Sequence, residues 1–350
     1  MLLAAYAGIA TMTVADSSAI SMAATAAERI TANAVSLDPD DPNYYKSFAP
    51  ELAKTLARVP QLDPETGLFV EEVKPNLFYV TEGIYTSAFL KTGDGVVVFD
   101  APPSFAHKLP EVIHQHAPGE AIKYLIYSHD HADHIGGASV FGGVEGLNVI
   151  AASGVVESIS EESHRGFLPP TITFEQAYDL TLGDEVVELK TASFHSENVD
   201  LIVYLPRQKF VMAVDTITPG EAPFMNFGAT ADVGRYLKFF DEILKYDFDI
   251  ILSGHVSLLG NRDDVLEAKE YAFDVNSSVL RGMETFLEQF NTTFEAFEYA
   301  NPNLAYRVAI ESVRRECSVE VIDKWKDRLS VVDVWADSHC QAMILYYIMH

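Results

Sequence analysis

Ser128-His129-Asp130-His131-Ala132-Asp133-His134 is the stretch whose reading decides the fold. Three histidines and two aspartates fall within the six residues from His129 to His134, directly after the apolar run Ile122–Tyr127, which reads as a strand. Crowding ionisable groups at a strand end is costly unless they are paired or metal-bound. Imidazole nitrogens and carboxylate oxygens suit zinc and its first-row neighbours, and no thiolate is needed. The chain turns after a strand, so His129 and His131 can project to one side while Asp133 and His134 are carried round to an adjacent position. Such a run could serve two metals. His107, His114 and His116 lie in a helical pattern over Phe105–His116 with no accompanying carboxylates, and they read as surface or packing residues.

Outward from this stretch the text alternates between two periods. Before it, Leu77–Val80, Tyr85–Lys91 and Val96–Asp100 are β-branched or aromatic runs, with Gly93-Asp94-Gly95 as a hairpin turn. After it come a short helix over Gly136–Phe141 and a strand at Asn148–Ala151. A second batch of strands follows at Glu185–Thr191, Val199–Leu205 and Lys209–Val214. The segment Val233–Tyr246 has helical spacing, and Ile250–Leu252 is a last strand running into Ser253-Gly254-His255. Strands alternating with helices in two batches predict two sheets packed face to face with helices outside. The chain then reads as an N-terminal segment (1–70), a catalytic region (71–260) and a helical C-terminal extension (261–350), with Arg262–Phe290 and Leu304–Leu329 the clearest helices.

The run Ser-His-Asp-His-Ala-Asp-His followed by Ile135-Gly136-Gly137 resembles the His-x-His-x-Asp-His signature of the metallo-β-lactamase superfamily, over about residues 75–260. The resemblance implies a four-layer αββα sandwich and two divalent metal ions, zinc first, with manganese or iron as alternatives. It also implies the ligands. His129, His131 and His195 would hold one ion, Asp133, His134 and His255 the other, and Asp215 would lie between them. Val214 stands where the family commonly has a glycine before this aspartate, a departure from the family's pattern at Asp215. Asp133 would also orient or deprotonate the nucleophile, and Asp100 matches a position that often supports a ligand histidine through a hydrogen bond. The implied activity is hydrolysis of an ester, lactone, thioester or related small-molecule bond. An iron-dependent oxygenase-type member, a β-lactamase and a non-catalytic binding protein are the alternatives. No Gly-x-Ser-x-Gly elbow offers a serine nucleophile.

Composition narrows the partners. With 24 basic against 51 acidic residues in 350, a formal charge of -27 disfavours nucleic acid and anionic lipid. A small-molecule substrate is expected, as are the absence of an integral membrane span and a possible homo-oligomer through the C-terminal helices. In Pro219–Phe227 the side chains of Phe224, Met225 and Phe227 could wall the site, and His164-Arg165 could meet an anionic group. Met1–Ala15 is apolar, but the first basic residue is Arg29, so export and cytoplasmic residence both stay open. Cys317 and Cys340, the only cysteines, are either a bridge or two free thiols.

Overall fold

The structure is a computed structural model that describes residues 44–160 and 166–350. The apolar stretch Met1–Ala15 and the pair His164-Arg165 lie outside the described residues.

Two sheets form the body. The first has seven strands in sequence order: β1 (Phe69–Lys74), β2 (Leu77–Thr81), β3 (Thr86–Lys91), β4 (Val96–Phe99), β5 (Ile122–Ile126), β6 (Asn148–Ala152) and β7 (Ile172–Phe174). It is an antiparallel meander as far as β4 and parallel from β4 to β7. The second contains β8 (Ala177–Leu182), β9 (Glu185–Ala192), β10 (Asp200–Leu205), β11 (Phe210–Met212) and β12 (Ile250–Leu252), in the order β12-β11-β10-β9-β8. Only β11 and β12 run parallel in it.

The two-residue period of β10 decides how the layers stack. Leu201, Val203 and Leu205 point into the core shared with the first sheet, whereas Ile202 points into a second core. The same split separates Phe210 and Met212 from Val211 on β11, and Leu252 from Ile251 on β12. These strands are buried on both faces, which is why they read as unbroken apolar runs. Against the first sheet's far side lies α2 (Leu109–His116), following a short α1 (Ala53–Leu56); Val112 and Ile113 of α2 pack into the apolar cluster that runs through that sheet. Beyond the second sheet lie α5 (Val233–Ile243), α6 (Arg262–Ala296), α7 (Pro302–Trp325) and α8 (Val332–Met349), after α3 (Ala132–Ile135) and α4 (Ser153–Ser160). The expected sandwich, with its C-terminal helices, is what the chain adopts.

Local differences have physical reasons. The helix expected over Phe105–His116 is a 3-10 turn at Ala106–Lys108 leading into α2, whose first turn takes Pro110. The short helix expected at Gly136–Phe141 begins earlier, as α3, and continues as a 3-10 turn at Ala138–Phe141. Cys317 and Cys340 are joined in a disulfide between α7 and α8. No helix among the described residues is long and apolar enough to cross a membrane.

Candidate metal centre

All the candidate ligands leave their strands at one edge of the sandwich, where parallel strands present their C-terminal ends, the usual place for a site in α/β sheets. His129 and His131 follow β5, and α3 then carries Asp133 and His134. Asp215 follows β11 and His255 follows β12, and the two ends are tied together by Asp215 N–H donating to Ser253 O at 2.9 Å. Thr86 N–H donates to Gly254 O at 3.0 Å, so the first sheet holds the same turn. Gly254 is required there. Its φ is +90°, and a Cβ would lie 2.5 Å from Val214 Cγ1 and 2.8 Å from His134 Cε1.

Asp215 sits at the centre, buried and with φ +63°, in a left-handed conformation that aspartate tolerates better than most residues. Its Oδ2 lies 3.2 Å from His129 Nε2, 3.5 Å from His195 Nε2 and 3.6 Å from His131 Nδ1. Its Oδ1 lies 3.0 Å from His255 Nε2 and 3.1 Å from His134 Nε2. Asp133 Oδ2 is 3.6 Å from both of those last nitrogens. The seven residues thus fall into two groups, His129/His131/His195/Asp215 and Asp133/His134/His255, with the potential ligand atoms of each within 4.8 Å of one another.

The hydrogen bonds around the cluster leave lone pairs facing inward. Asp200 accepts from His195 Nδ1–H at 2.6 Å and from the backbone N–H of Phe194 and His195 at 2.7 and 2.8 Å. His195 Nε2 then faces Asp215 Oδ2 at 3.5 Å and the Gly228 carbonyl oxygen at 3.0 Å. With His129 Nδ1–H donating to Ser128 Oγ at 2.9 Å, His129 Nε2 is bare. His129 Nε2 and Asp215 Oδ1 are buried without a hydrogen-bond partner, and His134 Nε2 faces His255 Nε2 at 3.1 Å. Bare nitrogens aimed at a carboxylate repel unless a cation lies among them, so these residues fit bound metal. Charge agrees. Burial would raise the Asp215 carboxyl, but His134 and the surrounding imidazoles override it and hold it well below the ordinary carboxylate range. Burial and the neighbouring imidazole of His195 push His129 well below the usual histidine value.

Other expectations turn out differently. Asp100 accepts from the Ser128 backbone N–H at 2.8 Å rather than from a histidine ring, so it fixes the strand end instead of an imidazole. As expected, His107 and His114 are exposed, and His116 packs on Phe78 with ring centroids 5.0 Å apart. Phe224 lines the cleft over the cluster, but Met225 does not, and Phe227 is buried in the second core, stacked on His339 at 4.4 Å. Sequence reading missed Asp200, whose only signal is its place at the start of β10. It also missed Tyr85, Glu221 and Trp335, which line the same cleft of about 350 Å³.

A family model described as the metallo-beta-lactamase superfamily matches residues 80–255. The chain belongs to that superfamily. The chain is also 24% identical over 208 residues to 2,4-dinitroanisole O-demethylase subunit alpha of Nocardioides sp. (strain JS1661), covering 59% of this chain and 62% of that one. The chain thus spans less than two thirds of that relative's length. Two solved superfamily structures share the fold. The sec-alkylsulfatase Pisa1 from Pseudomonas sp. superposes with a TM-score of 0.58 at 17% identity, over 85% of this chain and 53% of its own. A metallo-beta-lactamase from Pontibacter korlensis gives 0.51 at 18% identity, over 58% and 97%.

Proposed function

We propose that the protein is a binuclear metal-dependent hydrolase acting on an ester, lactone, thioester or related bond of a small molecule. In this reading residues 71–260 are the catalytic region and 261–350 cap it. The observation that carries the proposal is Asp215, whose two oxygens face two separate sets of ring nitrogens. His129, His131 and His195 would hold one ion and Asp133, His134 and His255 the other, with Asp215 between them. Bound divalent ions, zinc by preference, would supply Lewis acidity that activates water near neutral pH and polarises the electrophile's oxygen.

The protein's own contributions follow from position. Asp133 is 38% exposed at the cleft floor, the most open carboxylate of the cluster, and is placed to orient the attacking water and take its proton. Asp200 holds His195 in one orientation. Burial, followed by the nearby carboxylates of Asp133, Glu82 and Asp215, raises the Tyr85 phenol, so it stays protonated and able to donate a hydrogen bond toward the cleft.

Elemental mass spectrometry of the untagged protein, with a panel of ester, lactone, β-lactam, sulfate and phosphodiester substrates, tests the proposal. About two zinc or manganese ions per chain with turnover of one class is the expected result. Substituting His131 or His255 by Ala should lower metal content and abolish that turnover. Iron with no hydrolysis would favour an oxygenase-type reaction, a second reading prompted by the O-demethylase name of the Nocardioides relative. Metal-free protein would overturn both.

A further inference from the structure

The cleft has two unlike halves. Its floor is the His/Asp cluster, through His131, Asp133, Asp215 and His255. Its walls are almost wholly apolar, with Ile84, Tyr85, Ile217, Phe224 and Trp335 the large side chains. Trp335, from α8, meets Phe224 edge-on with ring centroids 4.9 Å apart. Among the described residues no Lys or Arg lines the cleft, so an anionic substituent on a bound molecule would find no counter-charge away from the floor. One carboxyl does stand among the walls, that of Glu221.

Glu221 is fixed by its backbone. Its N–H donates to Thr218 O at 2.9 Å, and the turn is clamped by Ala222 N–H to Ser330 O at 2.9 Å and Ser330 N–H to Gly220 O at 3.0 Å. Thr55 Oγ1 donates to Gly220 O at 3.0 Å from the other side. The side chain is half-buried, and its carboxyl has no hydrogen bond or ion pair among the described residues. Burial, with a smaller contribution from Glu51, raises it to about 7. A half-buried carboxyl without a partner offers a hydrogen bond or accepts a cation, and it repels an anion.

We infer that Glu221 is a specificity-determining residue that selects molecules with an aromatic or similarly apolar body and no negative charge where they meet Glu221. The inference rests on that cluster being the reaction centre, and it deepens that reading by naming the substrate class. Neutral and cationic substituents are accepted at Glu221, and carboxylates, sulfonates and phosphates are refused there. A cleft of this size, at the small end of the usual ligand-pocket range of about 300–1,000 Å³, suits a single ring with short substituents.

Binding can be read without turnover. The protein has two tryptophans; Trp325 is fully buried against Tyr271, so occupancy of the cleft is reported by Trp335. Metal-loaded full-length protein is titrated at pH 8 with 4-methyl-, 4-trimethylammonio- and 4-carboxyacetanilide, following tryptophan emission, with Trp335→Phe as the control for its origin. The expected result is a Kd for the first two probes at least about tenfold below that of the carboxylate, narrowed to within about threefold in Glu221→Gln, as loss of one partly screened charge contact predicts. Equal binding of all three, an unchanged gap in Glu221→Gln, or no emission change at all would overturn the inference. The expected order without turnover of the matching aryl acetates would sink only the hydrolase reading. Turnover without the order would sink only the inference.

Discussion

Asp200 touches His195 and not the cleft, yet it sets which nitrogen of His195 faces inward. Asp200→Asn should therefore weaken metal binding by about 10- to 100-fold while the fold survives, a loss measurable by competition with a chromophoric chelator. Unchanged metal affinity would show that the ring orients itself. Glu221 supports a prediction of another kind. Its folded value, about 7, lies above the ordinary glutamate value of 4.5, so the folded protein binds the extra proton between those limits. Stability from this group is fully present below about pH 4.5 and is lost as pH rises through 7. Glu51 is the charged neighbour that adds to the effect. After discounting for solvent screening, Glu221→Gln should stabilise the protein by about 1–2 kcal/mol at pH 8 and by little at pH 5. Urea melts at the two pH values read the difference. At this scale legibility was uneven. The cluster His129–His134 was visible because its members are contiguous, and His195, Asp215 and His255 because the family's order places them. Asp200 becomes meaningful only when the first residue of β10 folds back on the loop before it, and Trp335 reaches the cleft from another layer.

At the scale of single elements, α6 begins with a reciprocal cap. Asn261 accepts from Asp263 N–H at 2.7 Å and Asp264 N–H at 3.2 Å, and Asp264 accepts from Asn261 N–H at 2.9 Å. Asp264 also receives Arg58 at 2.8 and 3.0 Å, which ties the chain near α1 to the start of α6. Asn261→Ala should cost about 1 kcal/mol, or about 2–4 °C in Tm, without changing metal content. The central strands were read within a residue or two, because burial on both faces makes them continuous apolar runs. β1 and β8 were missed because they are edge strands whose exposed positions carry Glu71, Glu72, Asp179 and Thr181. α8 falls within the extension read as helical but was given no bounds, for the opposite reason. It is apolar nearly all round, packed among α5, α6 and α7, so no single stripe marks its ends.

For the whole molecule, the second core is shared between the outer face of the second sheet and the C-terminal helices. α6 and α7 approach closely enough that a Cβ on Gly282 would lie 2.7 Å from Val313 Cγ1. α8 is fastened to α7 by Cys317–Cys340, across 23 residues. It also reaches the cleft wall, where Ser338 Oγ accepts from Asn226 N–H at 3.1 Å and His339 Nε2–H donates to Phe224 O at 3.1 Å. Replacing both cysteines by Ala should lower stability by about 3 kcal/mol, and weaken binding in the cleft more than it lowers metal content. Calorimetry and metal analysis of the same preparation would separate the two losses.

That bond also sets an order of events. The His/Asp cluster is held by the two sheets, and the Trp335 wall of the cleft is held by α8. Under a thiol reductant that wall should loosen first, so the protein would pass through a stage in which the cluster is intact but the cleft no longer discriminates among the molecules that approach it.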